Sequence, residues 1–268
     1  MCIKTQIYRK MKIKWFNIVV ISLLLAQSIP AITLEDVYRD TIINDVTLSV
    51  PSDYADIEEA LLFLDDKRIA RNVTVTIQVA DGTYNDCPTI VLDHPYGSRI
   101  EIIGNTSSPG SVVLNFVANH GIEASRGNTI GKIDGFTIAG DLTDYYHGVW
   151  ARDNASIILG PNMIVQGFWC GILARRNGTV LAEGITVRNC TETGLNCGDA
   201  TIFANGALVE NNARGLYSFR TGFIQVDNAT IRNNTYYAIT VEAISLVQAK
   251  SATISGSIIV DPKGAFLQ

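Results

Sequence analysis

The sequence has few charged residues, and outside residues 9–14 it has no cluster of lysine and arginine. Asp, Glu, Lys and Arg make up 18% of its 268 residues, and the formal net charge is −5 at pH 7. Nucleic-acid binding needs concentrated positive charge, so this composition argues against a nucleic-acid partner. The apolar content of 47% suffices for one large core or for an elongated stack of repeats.

Metal-ligand spacing is missing among the five cysteines, Cys2, Cys87, Cys170, Cys190 and Cys197. The sequence therefore predicts no metal and no other cofactor, and calcium stays open only as an ion for which no motif is present. Cys170 and Cys190 fall near the same corner of successive repeats, so a disulfide between them is one alternative in an exported protein. The other alternative is that both thiols are free.

A repeat of about 22 residues organises the chain from residue 121 to residue 256. Two independent sets of positions keep this period. The first set pairs a small residue with a branched aliphatic one: Gly148-Val149, Gly171-Ile172, Gly194-Leu195, Gly215-Leu216 and Ala238-Ile239. The second set consists of turn residues: Gly167, Asn189, Asn211, Asn233 and Gly256. Two sets with one period indicate a solenoid.

Short runs with alternating apolar and polar residues fill each repeat, and long runs with helical periodicity are absent from it. Three short strands in each turn predict an all-β fold, a right-handed parallel β-helix. The Leu-x-x-Leu-x-Leu signature of leucine-rich repeats is missing. The alternation predicts two inward columns: Ile122, Val149, Ile172, Leu195, Leu216 and Ile239, and beside them Ala124, Ala151, Ala174, Cys197, Ser218 and Val241. Asn189, Asn211 and Asn233 are predicted to form a ladder in the turns.

The remaining sequence is divided by composition. Residues 1–31 have the layout of a signal peptide, in which residues 1–10 can be an upstream extension, and an uncleaved N-terminal anchor is the alternative. We therefore expect a secreted or cell-surface protein with no membrane span after cleavage. Residues 32–120 are predicted to form the N-terminal cap and first strands, 121–260 the repeats, and 261–268 a tail. A helix near 54–66 is predicted to cap the stack, after a turn with N-cap chemistry at Pro51-Ser52-Asp53.

Two motifs carry a resemblance to a known superfamily. Pro-Ser-Asp-Tyr-Ala-Asp-Ile-Glu-Glu-Ala-Leu and Val-Thr-Ile-Gln-Val-Ala-Asp-Gly-Thr-Tyr follow one another between residues 51 and 84. Their order resembles the start of pectin-lyase-like β-helix proteins, nearest to phage tail fibre and tailspike segments and more distantly to pectinesterases and pectate lyases. The resemblance implies a polysaccharide ligand, which can be acidic. The catalytic motifs of pectinesterases, alginate epimerases and calcium-dependent pectate lyases are missing, so no catalytic residue is carried over.

The outward positions of the first strand in each repeat are the candidate binding surface. Aromatic rings pack against sugars and exposed apolar patches mark interaction surfaces. The candidate carbohydrate-binding residues are Trp150, Tyr217, Phe219, Asn196 and, in a nearby loop, Asp144. Arg152 and Arg175 are predicted to lie one strand apart and to bind a carboxylate or sulfate. Their alternative role is that of solvated charges paired with Asp153 or Glu183.

The sequence leaves open whether the protein is an enzyme. The one insertion in the repeat, residues 140–147, brings Tyr145, Tyr146 and His147 toward this surface. In a β-elimination, Arg152 or Arg175 would neutralise a uronate, His147 would take the C5 proton, and a tyrosine would protonate the leaving oxygen. Glycoside hydrolysis by Asp141 and Asp144 is a further alternative. The last alternative function is that of a structural or adhesive stalk. Separately, the uncapped C-terminal turn predicts self-association.

Overall fold

The computed structural model describes residues 40–142, 145–261, 263 and 265–268. Residues 42–268 form one compact unit, which contains all the features discussed below except Thr41. The predicted signal peptide and Asp144 lie outside the described residues. Within the described part, no helix has both the length and the apolar character needed to cross a membrane.

The described chain begins with short strands and its one α-helix. In order these are β1 (Thr41–Ile42), β2 (Val46–Val50), α1 (Ile57–Leu64) and β3 (Arg68–Ile69). The apolar residues of α1 recur at helical spacing, and all four of them, Ile57, Ala60, Leu61 and Leu64, are buried. This confirms the predicted helix near residues 54–66.

The N-cap of α1 lies later than the sequence predicts. Asp56, not Asp53, is the cap, and its carboxylate accepts a hydrogen bond of 2.8 Å from the backbone N–H of Glu59. The Glu59 carboxylate accepts in turn from the N–H of Ala55. Asp53 instead accepts from the N–H of Ser49 and closes the preceding turn. Each of these two carboxylates therefore accepts a hydrogen bond from a backbone N–H group near the start of α1, where the helix itself provides no acceptor.

The remaining strands are short and recur in threes. The earlier ones are β4 (Val75–Val79), β5 (Gly82–Tyr84), β6 (Ile90–Val91), β7 (Ile100–Ile103), β8 (Val112–Phe116), β9 (Ile122–Ala124), β10 (Thr129–Asp134), β11 (Phe136–Gly140), β12 (His147–Ala151), β13 (Ser156–Leu159), β14 (Met163–Gln166) and β15 (Cys170–Arg175). The later ones are β16 (Thr179–Leu181), β17 (Thr186–Arg188), β18 (Thr193–Gly198), β19 (Thr201–Phe203), β20 (Leu208–Glu210), β21 (Arg214–Phe219), β22 (Phe223–Gln225), β23 (Thr230–Arg232), β24 (Tyr237–Val241), β25 (Leu246–Gln248), β26 (Thr253–Ile254), β27 (Ile258–Val260) and β28 (Phe266–Leu267). Two 3-10 helices, Gly97–Arg99 and Pro109–Ser111, lie among the earlier turns.

From β4 to β25, each strand pairs in parallel with the strand three places later, and β2 pairs with β4. This pairing builds three long sheets. The first sheet has ten strands, in the order β2-β4-β7-β10-β13-β16-β19-β22-β25-β28. The second sheet runs from β5 through β8, β11, β14, β17, β20 and β23 to β26. The third sheet runs from β6 through β9, β12, β15, β18, β21 and β24 to β27. The all-β parallel β-helix predicted from the repeat is therefore confirmed, with α1 at its N-terminal end.

Both predicted inward columns are confirmed by strand register and by burial. Val149 of β12 pairs with Ile122 and with Ile172, and Leu195 pairs with Leu216. All twelve residues of the two columns are buried in the structure. Stacked aliphatic side chains from successive turns bury one another, which is how a solenoid acquires a core that no single turn could form.

The turns contain two asparagine ladders, of which the sequence predicts one. Asn189, Asn211 and Asn233 adopt φ angles of 56°, 56° and 55°, as expected for asparagine in the left-handed region. The residues that follow the last two of them form a second ladder inside the stack. Asn212 accepts from the N–H of Cys190 at 2.9 Å, and Asn234 accepts from the N–H of Asn212 at 3.0 Å.

The internal ladder makes Asn212→Ala strongly destabilising. The substitution leaves the Cys190 N–H without its acceptor and removes the amide that donates to the Val187 carbonyl. Two buried polar groups that lose their partners should lower the free energy of unfolding by about 3 kcal/mol, measured by urea denaturation. The control is Asn211→Gly, which keeps a left-handed turn accessible and should change stability little. Equal losses in the two variants would contradict the role of the internal ladder.

The cysteines correct one alternative from the sequence. Cys170 and Cys190 do not form a disulfide, and all four described cysteines are free thiols. Cys190 packs inside the hydrophobic core, whereas the sulfur of Cys170 accepts a hydrogen bond from the Asn196 amide outside that core. Burial raises the pKa of Cys170, Cys190 and Cys197 to about 12.

These raised pKa values predict inert thiols in the native protein, because the thiolate is the reactive form. Iodoacetamide at neutral pH should leave Cys170, Cys190 and Cys197 unmodified in the folded chain and should label all three after denaturation. Peptide mass spectrometry gives the extent of labelling at each position. Native-state labelling at the rate of the unfolded chain would show that these thiols are not buried as described.

The last strands expose apolar side chains. Ile258, Ile259 and Val260 of β27 and Phe266 of β28 are all exposed, and β26, β27 and β28 each end their sheet within the described residues. Unpaired strand edges with apolar side chains favour pairing with another chain. Self-association through this turn stays a prediction.

Candidate functional site

The outward surface of the third sheet brings the predicted binding residues together. Trp150 of β12 pairs with Leu173, which pairs with Asn196, which pairs with Tyr217 of β21. In the neighbouring column Arg175 pairs with Gly198, and Gly198 pairs with Phe219. We call the outward side of β12, β15, β18, β21 and β24 the aromatic face. The sequence alternation predicted both of its columns.

Asn196 is placed in the predicted column, but its side chain is covered. It is only 4% exposed, and Leu173 and Thr240 of the same column are buried as well. The larger side chains beside them, Trp150 and Tyr217, remain partly exposed. The aromatic face therefore presents its aromatic rings to solvent and keeps the smaller residues of the column beneath them.

An aromatic cluster surrounds Trp150 at the N-terminal end of this face. Ring centroids lie 4.9 Å apart for His120 and Trp150, 5.3 Å for His147 and Trp150, and 5.7 Å for His147 and Trp169. Tyr145, predicted as a catalytic residue, lies against Trp169 at 5.4 Å and is 73% exposed. Tyr145, in the described part of the insertion before β12, thus lies in the aromatic cluster at the N-terminal end of the aromatic face.

Two members of this cluster were missed at the sequence level. Trp169 lies in the turn before β15, outside the alternating columns, and His120 precedes β9 in the same way. Tyr146, also predicted as catalytic, is partly buried, with its ring 5.4 Å from that of His120. The sequence could have indicated Trp169 in one way: it precedes β15 at the position that corresponds, in the repeat before it, to the end of the insertion of residues 140–147.

His147 is buried beneath the cluster. Its side chain is 6% exposed, its backbone N–H donates to His120 Nδ1 at 3.0 Å, and its own Nδ1 has no hydrogen-bond partner. The pKa of His147 is lowered to about 3, mainly by burial, and the nearby charges of His120 and Arg175 contribute in the same direction. The imidazole is therefore neutral at neutral pH and a weak base.

Arg152 is held by carboxylates of the protein itself. Its guanidinium lies 2.7 Å from Glu123 and 3.0 Å from Asp153, and it stacks over the Trp150 ring at 4.6 Å. The hydrogen bond to Glu123 is the main reason that its pKa is raised. Asp153 is thus one partner that the sequence suggested, whereas the other suggestion, Glu183, accepts from the Asn205 amide instead.

Arg175 has no carboxylate partner among the described residues. Its guanidinium lies over the Phe219 ring, 4.2 Å from the centroid, which is the distance of a cation–π contact. Partial burial lowers its pKa, and the charge of Arg220 acts in the same direction. A half-buried cation with an aromatic neighbour and no counter-ion is suited to bind an anionic group.

Gly198 creates the space in which this stack forms. A Cβ atom on Gly198 would lie 2.4 Å from the Phe219 ring, so the ring occupies the volume that a side chain would take. Phe219 also stacks on Tyr217 at 4.9 Å with an interplanar angle of 18°. The Tyr217 hydroxyl donates to Glu242 at 2.8 Å, which fixes the second ring of the pair.

Gly198→Ala should displace the Phe219 ring and separate it from Arg175. The contact at 2.4 Å forces the ring to tilt, and lost packing together with the weaker cation–π contact should lower the free energy of unfolding by about 1 kcal/mol. Urea denaturation measures the change. Gly110→Ala is the matched control, because a Cβ there meets nothing within 4 Å. A Gly198 variant as stable as the Gly110 variant would contradict the close fit.

Unsatisfied polar atoms are concentrated on the aromatic face. In the described chain, five buried side-chain atoms lack a hydrogen-bond partner: His147 Nδ1, Trp150 Nε1, Thr193 Oγ1, Asn196 Oδ1 and Thr240 Oγ1. All five belong to β12, β18 or β24 of the third sheet. Each such group typically costs the fold about 1–3 kcal/mol. Proteins keep unsatisfied buried polar groups chiefly where function requires them, so this clustering indicates that the aromatic face is a functional site.

The comparisons with known proteins assign no family. No protein-family model, no curated protein and no solved structure matches the chain. Among the described residues, no group of three or more His, Cys, Asp or Glu side chains is arranged to hold a metal ion.

Proposed function

We propose that the protein is exported and binds polysaccharide on the aromatic face. The observation that carries the proposal is the row of partly exposed rings, Trp150, Tyr217 and Phe219, along one side of a continuous parallel sheet, with Trp169 in the adjoining turn. Aromatic faces pack against the apolar faces of sugar rings, and their polar edges remain free for hydrogen bonds. The motif resemblance to pectin-lyase-like proteins and the signal-peptide layout support the same proposal.

The spacing of the rings suits an extended ligand. Trp150 and Tyr217 are separated by three strand-to-strand steps, and each step is roughly 4.8 Å, so the two rings lie about 14 Å apart along the stack. A polysaccharide that lies along the axis of the solenoid can contact both rings at once. Contacts distributed in this way give affinity without a deep pocket.

Arg175 lies between these two aromatic groups and favours an acidic polysaccharide. Its charge is uncompensated within the described residues, whereas the charge of Arg152 is already neutralised by Glu123 and Asp153. A planar guanidinium can bind a carboxylate or sulfate through two hydrogen bonds. Uronic-acid or sulfated polymers are therefore the expected ligand class.

Arg175→Ala should lower affinity for a uronic-acid polymer about tenfold and leave affinity for a neutral polymer nearly unchanged. Calorimetric titration with polygalacturonate and with dextran measures both affinities, each at low and at moderate salt. The control is Arg232→Ala, since Arg232 lies on the second sheet and is paired with Glu210. An Arg175 variant that binds polygalacturonate as tightly as the wild type would remove the charge-based part of the proposal.

Binding without cleavage is favoured over the enzyme alternatives. Of the groups proposed for β-elimination, His147 is buried and weakly basic, and Arg152 is paired internally. Tyr145 and Arg175 remain accessible, so a lyase stays the second candidate, with those two residues at its centre. A structural stalk is the third candidate, and it predicts that loss of the aromatic rings changes no interaction with polysaccharide.

A further inference from the structure

A separate cavity lies at the N-terminal cap, next to α1 and β6. It measures about 300 Å³ and lies between α1 and the segment that leads into and through β6. Its walls are mainly apolar, and they include Leu61 and Leu62 of the helix and Ile90 and Val91 of β6. This volume is at the lower end of the range for small-molecule sites.

The apolar walls are preformed and partly open to solvent. Leu62 is 60% exposed and Val91 49% exposed, so a ligand can reach them without unfolding the cap. Tyr84 is fixed by its hydroxyl, which donates to the Ala80 carbonyl at 3.0 Å, and the Cys87 thiol donates to the Tyr84 carbonyl. Two of the lining residues, Tyr84 and Cys87, are therefore held in place by hydrogen bonds.

The charged residues that line the cavity are all acidic. They are Asp56, Glu58, Asp65 and Asp93, and no lysine, arginine or histidine contributes to the lining. Asp56 caps α1, and Asp93 accepts from the Asn128 amide at 2.6 Å. Four carboxylates beside an apolar wall set up a negative potential that is complementary to a cation with an apolar body.

We propose that this cavity is a second binding site, which takes a small amphiphilic cation such as an alkylammonium. Its apolar part contacts Leu61, Leu62 and Val91, and its ammonium group lies near Glu58 and Asp65. An apolar anion of the same size meets the same walls and is repelled by the same carboxylates. The cavity thus selects for the charge of the ligand, not only for its apolar surface. The proposal is independent of polysaccharide binding on the aromatic face.

The test compares octylammonium with octanoate on the full chain. Methyl resonances of Leu61, Leu62 and Val91, followed by NMR titration, should shift with octylammonium and saturate, with octanoate binding at least tenfold more weakly. The double variant Glu58→Gln/Asp65→Asn should reduce this preference to below about threefold. Asp66→Asn is the matched control, because Asp66 follows the same helix but lies outside the lining, and it should keep the preference.

Three results would overturn the proposal. Equal binding of the two probes would show that charge plays no part, and unchanged methyl resonances would show that the cavity takes no ligand. A preference that survives in the double variant would assign selectivity to other residues. The circular dichroism spectrum of each variant is recorded first, and Val91→Lys, which fills the cavity with its own cation, provides an independent variant that should abolish binding of octylammonium.

Discussion

Trp150→Ala is expected to weaken polysaccharide binding about 30-fold, the loss typical of a central aromatic anchor in an interface. Trp150 contacts both histidines of the aromatic cluster and carries Arg152 over its ring, so its removal takes away a sugar-stacking surface and the packing around it. Calorimetric titration with the polymer that binds best measures the loss.

The matched control for this substitution is Phe223→Ala. Phe223 is also partly exposed and also packs against an aromatic neighbour, Phe203, at 5.9 Å, but it belongs to β22 of the first sheet. It should retain wild-type affinity. Equal losses in the two variants would point to a general effect on the solenoid, and no loss in either would favour the structural stalk.

Acidification is expected to destabilise the fold through His147. Its pKa is about 3 in the folded chain and about 6.5 in the unfolded chain, so between these values the unfolded state binds more protons. The contribution of the neutral imidazole to the free energy of unfolding is fully present above about pH 6.5 and is lost as the pH falls toward 3. From about pH 7 to about pH 4 the loss from this one group should be about 3 kcal/mol.

His147→Phe isolates this contribution, because phenylalanine keeps an aromatic ring in the cluster and cannot be protonated. Urea denaturation of the two proteins at several pH values gives their free energies of unfolding. The difference between wild type and variant should shift by about 3 kcal/mol between pH 7 and pH 4, in favour of the variant at acid pH. If the difference in free energy of unfolding between the two proteins did not change with pH, His147 would be solvated and would have the same pKa in the folded and unfolded chains.

The sequence could predict most of the fold because the repeat constrains it twice. A period of about 22 residues places Val149, Ile172 and Leu195 in one column, and the strand period of two then decides which face each neighbour occupies. The left-handed turns at Asn189 and Asn211 follow from residue type. The internal ladder of Asn212 and Asn234 could not be predicted, because polar residues beside a turn are ordinarily solvated, and only the stacking of turns buries them.

The sequence could predict which residues of the candidate site share a face, but not which side chains contact one another. Alternation placed Trp150, Tyr217 and Phe219 on one surface, since this needs only the register. The pairing of Arg152 with Glu123 joins residues 29 positions apart and depends on side-chain rotamers. His147 packs against Trp169, which lies in a turn where the repeat period does not fix the direction of the side chain. The alternation of residues along strands therefore does not predict how side chains pack in the turns.

The most direct test of polysaccharide binding on the aromatic face is one incubation with two readouts. The purified chain is mixed with polygalacturonate, alginate, dextran and galactomannan, while binding is followed by tryptophan fluorescence and products by ultraviolet absorbance and reducing ends. We predict saturable binding to at least one acidic polymer, weakened about 30-fold in Trp150→Ala, with no unsaturated product and no new reducing ends. Unsaturated product would identify a lyase, new reducing ends alone would identify a hydrolase, and absence of binding to every polymer would contradict the proposed function.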